Sequence, residues 1–154
     1  MNFHLAQVNV GRILAPLDSP VMAGFVDNLD KINMLAETSP GFIWRLKDDA
    51  NNATSIRMYD DDRIIMNMSV WETPDHLYQY VYKSMHGEFL KRRREWFEKM
   101  GEMYYVMWYV PVGHLPVSAR HGSGWCIYGR MARRHMHLAL ANGLSRGIYK
   151  KSCS

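Results

Sequence analysis

Two short runs constrain this chain most. "RIIMNMSVW" (Arg63–Trp71) and "MYYVMWYVP" (Met103–Pro111) are apolar on both faces when read as strands. In the first, Ile64, Met66, Met68 and Val70 alternate with Ile65 and Trp71. Side chains alternate across a strand, so each run has to be covered on both sides. A free-standing hairpin is excluded, and the chain needs layers of other elements against its sheet.

The flanking segments supply those elements. "FHLAQVNV" (Phe3–Val10) reads as a strand bounded by Gly11 and Pro16. Ser19 followed by Pro20 predicts a helix start, with Ser19 as N-cap. Phe25, Leu29, Ile32 and Ala36 then recur at helical spacing until Ser39-Pro40-Gly41 stops the helix. "GFIWRLKD" alternates, Phe42, Trp44 and Leu46 pointing one way and Ile43, Arg45 and Lys47 the other. A second cap, Thr73 with Pro74 and Asp75, opens a helix that Gly87 kinks or divides and Gly101 ends. The order βαββαβ predicts an α+β, ferredoxin-like domain with a four-stranded antiparallel sheet and both helices on one face. The other face remains apolar, and a second copy of the same sheet is the simplest cover, so a homodimer is expected.

Charge divides the chain. Residues 121–154 hold six Lys/Arg and no Asp or Glu, so the remaining residues, 1–120, hold 13 basic against 15 acidic groups. The formal +4 is therefore a property of the C-terminal segment, and both cysteines, Cys126 and Cys153, lie there too. The expected organisation is a domain over residues 1–116 followed by an atypical basic tail over 117–154. No apolar run approaches the roughly 20 residues of a membrane helix, and the N-terminus lacks a secretion-signal pattern. A cytoplasmic protein that does not engage membranes is expected.

The densest chemistry lies in "VYKSMHGEFLKRRREWFEKM". His86, Leu90, Arg93 and Phe97 fall on one helical stripe, and Phe89, Arg92 and Trp96 on the next. Arg92 reads either as a clamp for an anionic ligand, with His86 exchanging a proton, or as part of a solvated stripe whose stems pack on Trp96. Trp44, Trp71, Trp96 and Trp108, with Tyr78, Tyr80, Tyr82, Tyr104, Tyr105 and Tyr109, form either an aromatic pocket or ordinary core and interface. His114, in the loop "VPVGHLP", is either a site residue or a turn-stabilising one. Metal-ligand spacings, nucleotide-binding loops and the GxSxG motif are absent from residues 1–116, so neither metal nor cofactor is expected.

Three segments carry a family resemblance: "APLDSPVMAGFVDNLDKINMLAETSPGFIWRL", "MSVWETPDHLYQYVYKSMHGEFLKRRREWFEKM" and "MWYVPVGHLP". They resemble a bacterial domain-of-unknown-function family of the dimeric α/β-barrel superfamily, related to the antibiotic-biosynthesis monooxygenases. The resemblance runs over residues 3–116 and implies the ferredoxin-like fold and a homodimer. Haem-degrading members of that superfamily use an Asn on the first strand and a Trp and a His on the second helix. Asn9 and His86 match two of these. Tyr80 stands where the Trp falls, with a shorter gap before His86, which speaks against haem degradation. Cofactor-free oxygenation in an aromatic, water-poor pocket is the activity the resemblance leaves open. The resulting catalytic candidates are His86, Asn9 and Tyr80. The ligand-binding candidates are Arg92, Trp96, Trp71, Trp44 and His114, for a small aromatic or anionic ligand. A non-catalytic ligand-binding or stress-related dimer is the alternative, and nucleic-acid binding through the tail ranks third.

After Pro116 the chain departs from the family, whose usual ending is a short helix and a Gly-Pro…Pro…Ala-Phe strand. The genetic code offers a reason. Reading from the third base of each codon, Trp125-Cys126 forces Val, Met131-Ala132 forces Gly and Met136-His137 forces Ala. Allowed codons elsewhere spell Glu-Asn-Gly-Pro-Ser-Pro-Tyr-Ala-Phe, which resembles the missing ending. A one-base shift between Pro116 and His121 is therefore expected. The alternative is an authentic basic tail for nucleic acid or acidic lipid.

Overall fold

The computed structural model describes residues 2–56, 59–100, 105–121 and 124–128, with residues 117–121 and 124–128 described by their backbone alone. Four strands form one antiparallel sheet: β1 (Phe3–Arg12), β2 (Phe42–Arg45), β3 (Ile64–Trp71) and β4 (Tyr105–Pro111). Their order is β2-β3-β1-β4, the split βαβ arrangement expected for an α+β ferredoxin-like domain. β1 is central, with Leu5 opposite Trp71 and Tyr109, and Gln7 opposite Ser69 and Met107. Between β1 and β2 run a 3₁₀ turn (Pro20–Met22), α1 (Ala23–Val26) and α2 (Leu29–Glu37). Between β3 and β4 run α3 (Pro74–Lys83), α4 (His86–Arg92) and a 3₁₀ turn (Arg93–Glu95).

One face of the sheet meets the helices. Leu5 and Trp71 pack there with Ala36 of α2 and Leu77 of α3. Ile13, Ile65, Met22 and Trp96 form a second cluster on that side. The opposite face gathers Ala6, Met66, Met68, Val70, Trp108 and Val110, with Trp44, Leu46 and Ile56 packed against them. Met68 and Val70 are already fully buried within the one chain. The expected homodimer is thus not needed to hide those two side chains.

The local structure departs from the sequence expectations in four places. Ser19 does not cap with its side chain; its backbone carbonyl accepts from Met22 instead, and its hydroxyl is buried without a partner among the described residues. The strand register shifts between Phe42 and Trp44, so Phe42 opposes Trp71 on the helix side while Trp44 and Leu46 pack on the other. A β-bulge of this kind breaks the period-two alternation. The second helix breaks at Ser84 rather than Gly87, because the Ser84 hydroxyl donates to the Tyr80 carbonyl and accepts from the His86 N–H, which competes with the helix ladder. The helix also ends well before Gly101. Trp96 is buried beside Phe25, the Leu14 N–H donates to the Trp96 carbonyl, and the Glu98 N–H donates to that of Arg12. Tertiary pairing with the end of β1 outweighs helix continuation there.

β5 (Val117–His121) and β6 (Gly124–Tyr128) pair in a separate two-stranded antiparallel sheet. They are the first part of the expected atypical tail. The remainder of the tail expectation, residues 129–154, lies outside the described residues.

Candidate functional site

A cleft of about 950 Å³ lies between the helix side of the sheet and the helices. Its polar floor comes from alternate positions of the central strands. Gln7 and Asn9 on β1, and Asn67 and Ser69 on β3, all line it. The Gln7 side-chain amide donates to the Ser69 hydroxyl at 2.8 Å, the Trp71 indole N–H donates to the same oxygen at 2.9 Å, and the Asn9 side-chain amide donates to Gln7 Oε1 at 3.4 Å. Arg45 on β2 lies directly opposite Ser69 and lines the same cleft. It is only 5% exposed. Its Nε donates to Glu37 at 2.9 Å, and its Nη2 donates to the backbone and side-chain oxygens of Asn51 at 2.8 and 2.9 Å.

The facing wall is aromatic. α3 is started by Thr73, whose hydroxyl accepts from the His76 N–H at 3.2 Å. This fixes the phase that turns Leu77, Tyr80 and Val81 toward the sheet and leaves Tyr78 and Tyr82 exposed. Tyr80 stacks on Trp71 with ring centroids 5.0 Å apart and meets the His86 ring at 4.8 Å. Burial pushes the Tyr80 phenol well above the ordinary tyrosine range, so it stays protonated at neutral pH. Its hydroxyl donates to the Ile32 carbonyl at 3.4 Å. Tyr105, opposite Asn9 on β4, is pushed up to about 12, chiefly by burial and secondarily by Tyr82.

His86 joins this wall through the break at Ser84. Its Nδ1 lies 3.2 Å from the Val81 carbonyl. A carbonyl only accepts, so Nδ1 carries the proton in that contact. Burial lowers the His86 pKa, with the Val81 hydrogen bond opposing it. The ring is therefore neutral at pH 7 and its Nε2 lone pair is uncommitted among the described residues.

Five of the expected site residues come together here: Asn9, Tyr80, His86, Trp71 and Trp96 all line the cleft. Three do not. Arg92 makes a bidentate pair with Glu95 at 2.9 and 2.8 Å and lies 5.0 Å over the Trp96 ring, outside the lining. That geometry matches the alternative reading of its stem packing on Trp96. Trp44 packs on the opposite face of the sheet. His114 is exposed in the turn after β4, its backbone N–H donating to the Pro111 carbonyl at 3.0 Å. Gln7, Arg45 and Ser69 had no place in the sequence expectations. A signal for two of them exists: polar residues at 7 and 9, and at 67 and 69, share one face of strands that are otherwise apolar. No group of three or more His, Cys, Asp or Glu side chains placed to hold a metal occurs among the described residues, nor does any helix long and apolar enough to cross a membrane.

Fold and cleft together define an α+β ferredoxin-like protein with a small-molecule-sized cavity between sheet and helices. The chain belongs to the DUF3291 family, described as a domain of unknown function, which matches residues 4–121. No curated protein matches it significantly. Among solved structures it is similar to PA3566 from Pseudomonas aeruginosa, at 11% identity over 71% of this chain and 94% of that one, with a TM-score of 0.47. It is also similar to SnoaB from Streptomyces nogalater, a cofactor-independent oxygenase, at 13% identity over 73% and 95%, with a TM-score of 0.45. NE2512 from Nitrosomonas europaea, of unknown function, follows at 11% identity over 77% and 97%, with a TM-score of 0.46.

Proposed function

We propose that the chain binds a small aromatic molecule between sheet and helices and oxygenates it without a cofactor. The observation that carries this reading is the state of His86. It is a buried, neutral imidazole with its proton directed at the Val81 carbonyl and Nε2 left as an acceptor. A base of this kind is matched to removing a proton from a phenol or an activated C–H near neutral pH. The resulting electron-rich anion transfers electrons to molecular oxygen, and a CH₂ centre ends as a carbonyl with one water released. Asn9 on the floor, with one amide hydrogen not taken by Gln7, is a hydrogen-bonding group for the developing oxyanion, and Tyr80 packs its ring beside His86. The aromatic lining holds the ring and limits water.

An oxygen electrode tests the proposal. Wild-type protein should consume oxygen with a polyphenol that carries an activated CH₂ group, and His86→Ala should lose about a hundredfold or more of that rate, the scale of a lost general base. Turnover that survives His86→Ala would overturn the role of His86. Ligand binding with no oxygen uptake across a broad panel would leave the cleft as a binding site only. We further propose a cytoplasmic homodimer, which rests on the sequence resemblance rather than on exposed apolar surface.

A further inference from the structure

Two donors on the cleft floor have hydrogens that nothing described accepts. The Ser69 hydroxyl accepts from Gln7 and from Trp71, which occupies both of its lone pairs. Its own O–H donates to none of the described residues, although Ser69 is only 6% exposed. Arg45 has five N–H groups. Nε is directed at Glu37 and both hydrogens of Nη2 at Asn51, which leaves the two on Nη1 without a described acceptor. A buried donor without an acceptor is costly, and native structures rarely leave two together. Arg45 and Ser69 are register partners on β2 and β3. Directly opposed residues project to the same face with Cβ atoms about 5 Å apart, and both residues line the same cleft.

The charge at that spot is also unbalanced. Glu37 is the acidic partner of Arg45, and the same carboxylate oxygen lies 3.7 Å from Lys47 Nζ. One carboxylate thus answers two cations. Lys47 is half exposed and solvated, whereas the Arg45 guanidinium is buried, so its charge beside the cleft attracts an anion more strongly than a surface cation does.

We propose that Arg45 and Ser69 form an anion subsite that takes the carboxylate of an aromatic acid, the ring lying along the Tyr80 side of the cleft. One carboxylate oxygen accepts from Arg45 Nη1 and the other from the Ser69 hydroxyl. The occupied subsite satisfies the Ser69 hydroxyl and one of the two open Nη1 hydrogens, and adds a negative charge beside Arg45. This deepens the reading of the cleft as an aromatic-ligand site and rests on it. It does not depend on oxygen chemistry.

Tryptophan fluorescence of the full chain tests it, with 2-naphthoate and its uncharged isostere 2-naphthamide as probes at neutral pH. Wild-type protein should bind the acid about tenfold or more tightly than the amide, the scale of a charge-assisted hydrogen-bond pair. Arg45→Met, which keeps the stem and removes the guanidinium, should reduce that preference to about twofold or less. Because Arg45 also ties Glu37 to Asn51, Arg45→Lys provides a second variant that keeps the charge beside Glu37 but removes the fork. It should retain only part of the preference. Equal wild-type binding of acid and amide, or binding of neither, overturns the subsite, as does a full preference in a folded Arg45→Met. Acid preference without any oxygen uptake would instead overturn the oxygenase reading and leave the subsite standing.

Discussion

At the residue scale, environment decides what each side chain can do. His86 is buried against Tyr80, so its folded pKa lies below the ordinary value of about 6.5, although the bond to Val81 opposes the shift. In the window just below 6.5 the unfolded chain binds more protons than the folded one, so stability rises with pH there. The full contribution is present above 6.5 and is lost as pH falls toward the folded value. Urea midpoints should therefore drop between pH 7.5 and pH 5.5 more in wild type than in His86→Gln. The excess should be at most about 1.4 kcal/mol per pH unit, the limit for one proton. Equal drops would show that His86 does not titrate as its surroundings dictate. Asn9, Tyr80 and His86 entered as candidates through the family resemblance, and Trp71 and Trp96 as members of an aromatic set; the fold places all five along one cleft. Arg45 was not legible in the sequence, since simple alternation sets it on the face opposite Phe42, and only the register shift between Phe42 and Trp44 puts both on the helix side. Arg92 looked equally functional in sequence, yet Glu95, one turn away, takes its guanidinium.

At the element scale, the joints matter more than the helices and strands themselves. α2 passes into β2 through Gly41, whose φ is +73°. A side chain there would be strained in the left-handed region, and its Cβ would overlap the His76 ring. The same glycine carbonyl accepts from the Glu72 N–H at 2.8 Å, tying the start of β2 to the end of β3. Gly41→Ala should therefore cost about 2 kcal/mol or more in urea unfolding, from left-handed strain and the displaced ring. A change below about 0.5 kcal/mol would show that the joint relaxes freely. The Ser84 break is the other decisive joint, because it sets the direction of α4 and brings His86 back beside Tyr80. Sequence periodicity sees Gly87 as the weak point. It cannot see that a serine hydroxyl already satisfies the backbone three residues earlier.

At the scale of the whole molecule, two expectations meet the solution state of the protein. The homodimer predicts a mass of twice the 18.0 kDa chain in light scattering, and a stable monomer would refute it. The proposed one-base shift after Pro116 predicts that the gene, read in the alternative frame, spells Gly-Pro-Ser-Pro. Codons that cannot do so refute the shift. Although β4 leaves Tyr105 and Tyr109 exposed on one face, the sequence by itself determined the βαββαβ order, the cover over both faces of β3, the Thr73 cap and the family. Each follows from near-neighbour patterns that survive without knowing what packs on what. The tertiary structure alone decided where the second helix stops, which side of the sheet Phe42 takes, and that Gln7, Arg45 and Ser69 share one floor. Those outcomes turn on contacts between residues distant in the chain, as when the chain after Trp96 returns to pair with β1. There the free energy of burial and cross-strand hydrogen bonding exceeds the small local preferences that a sequence displays.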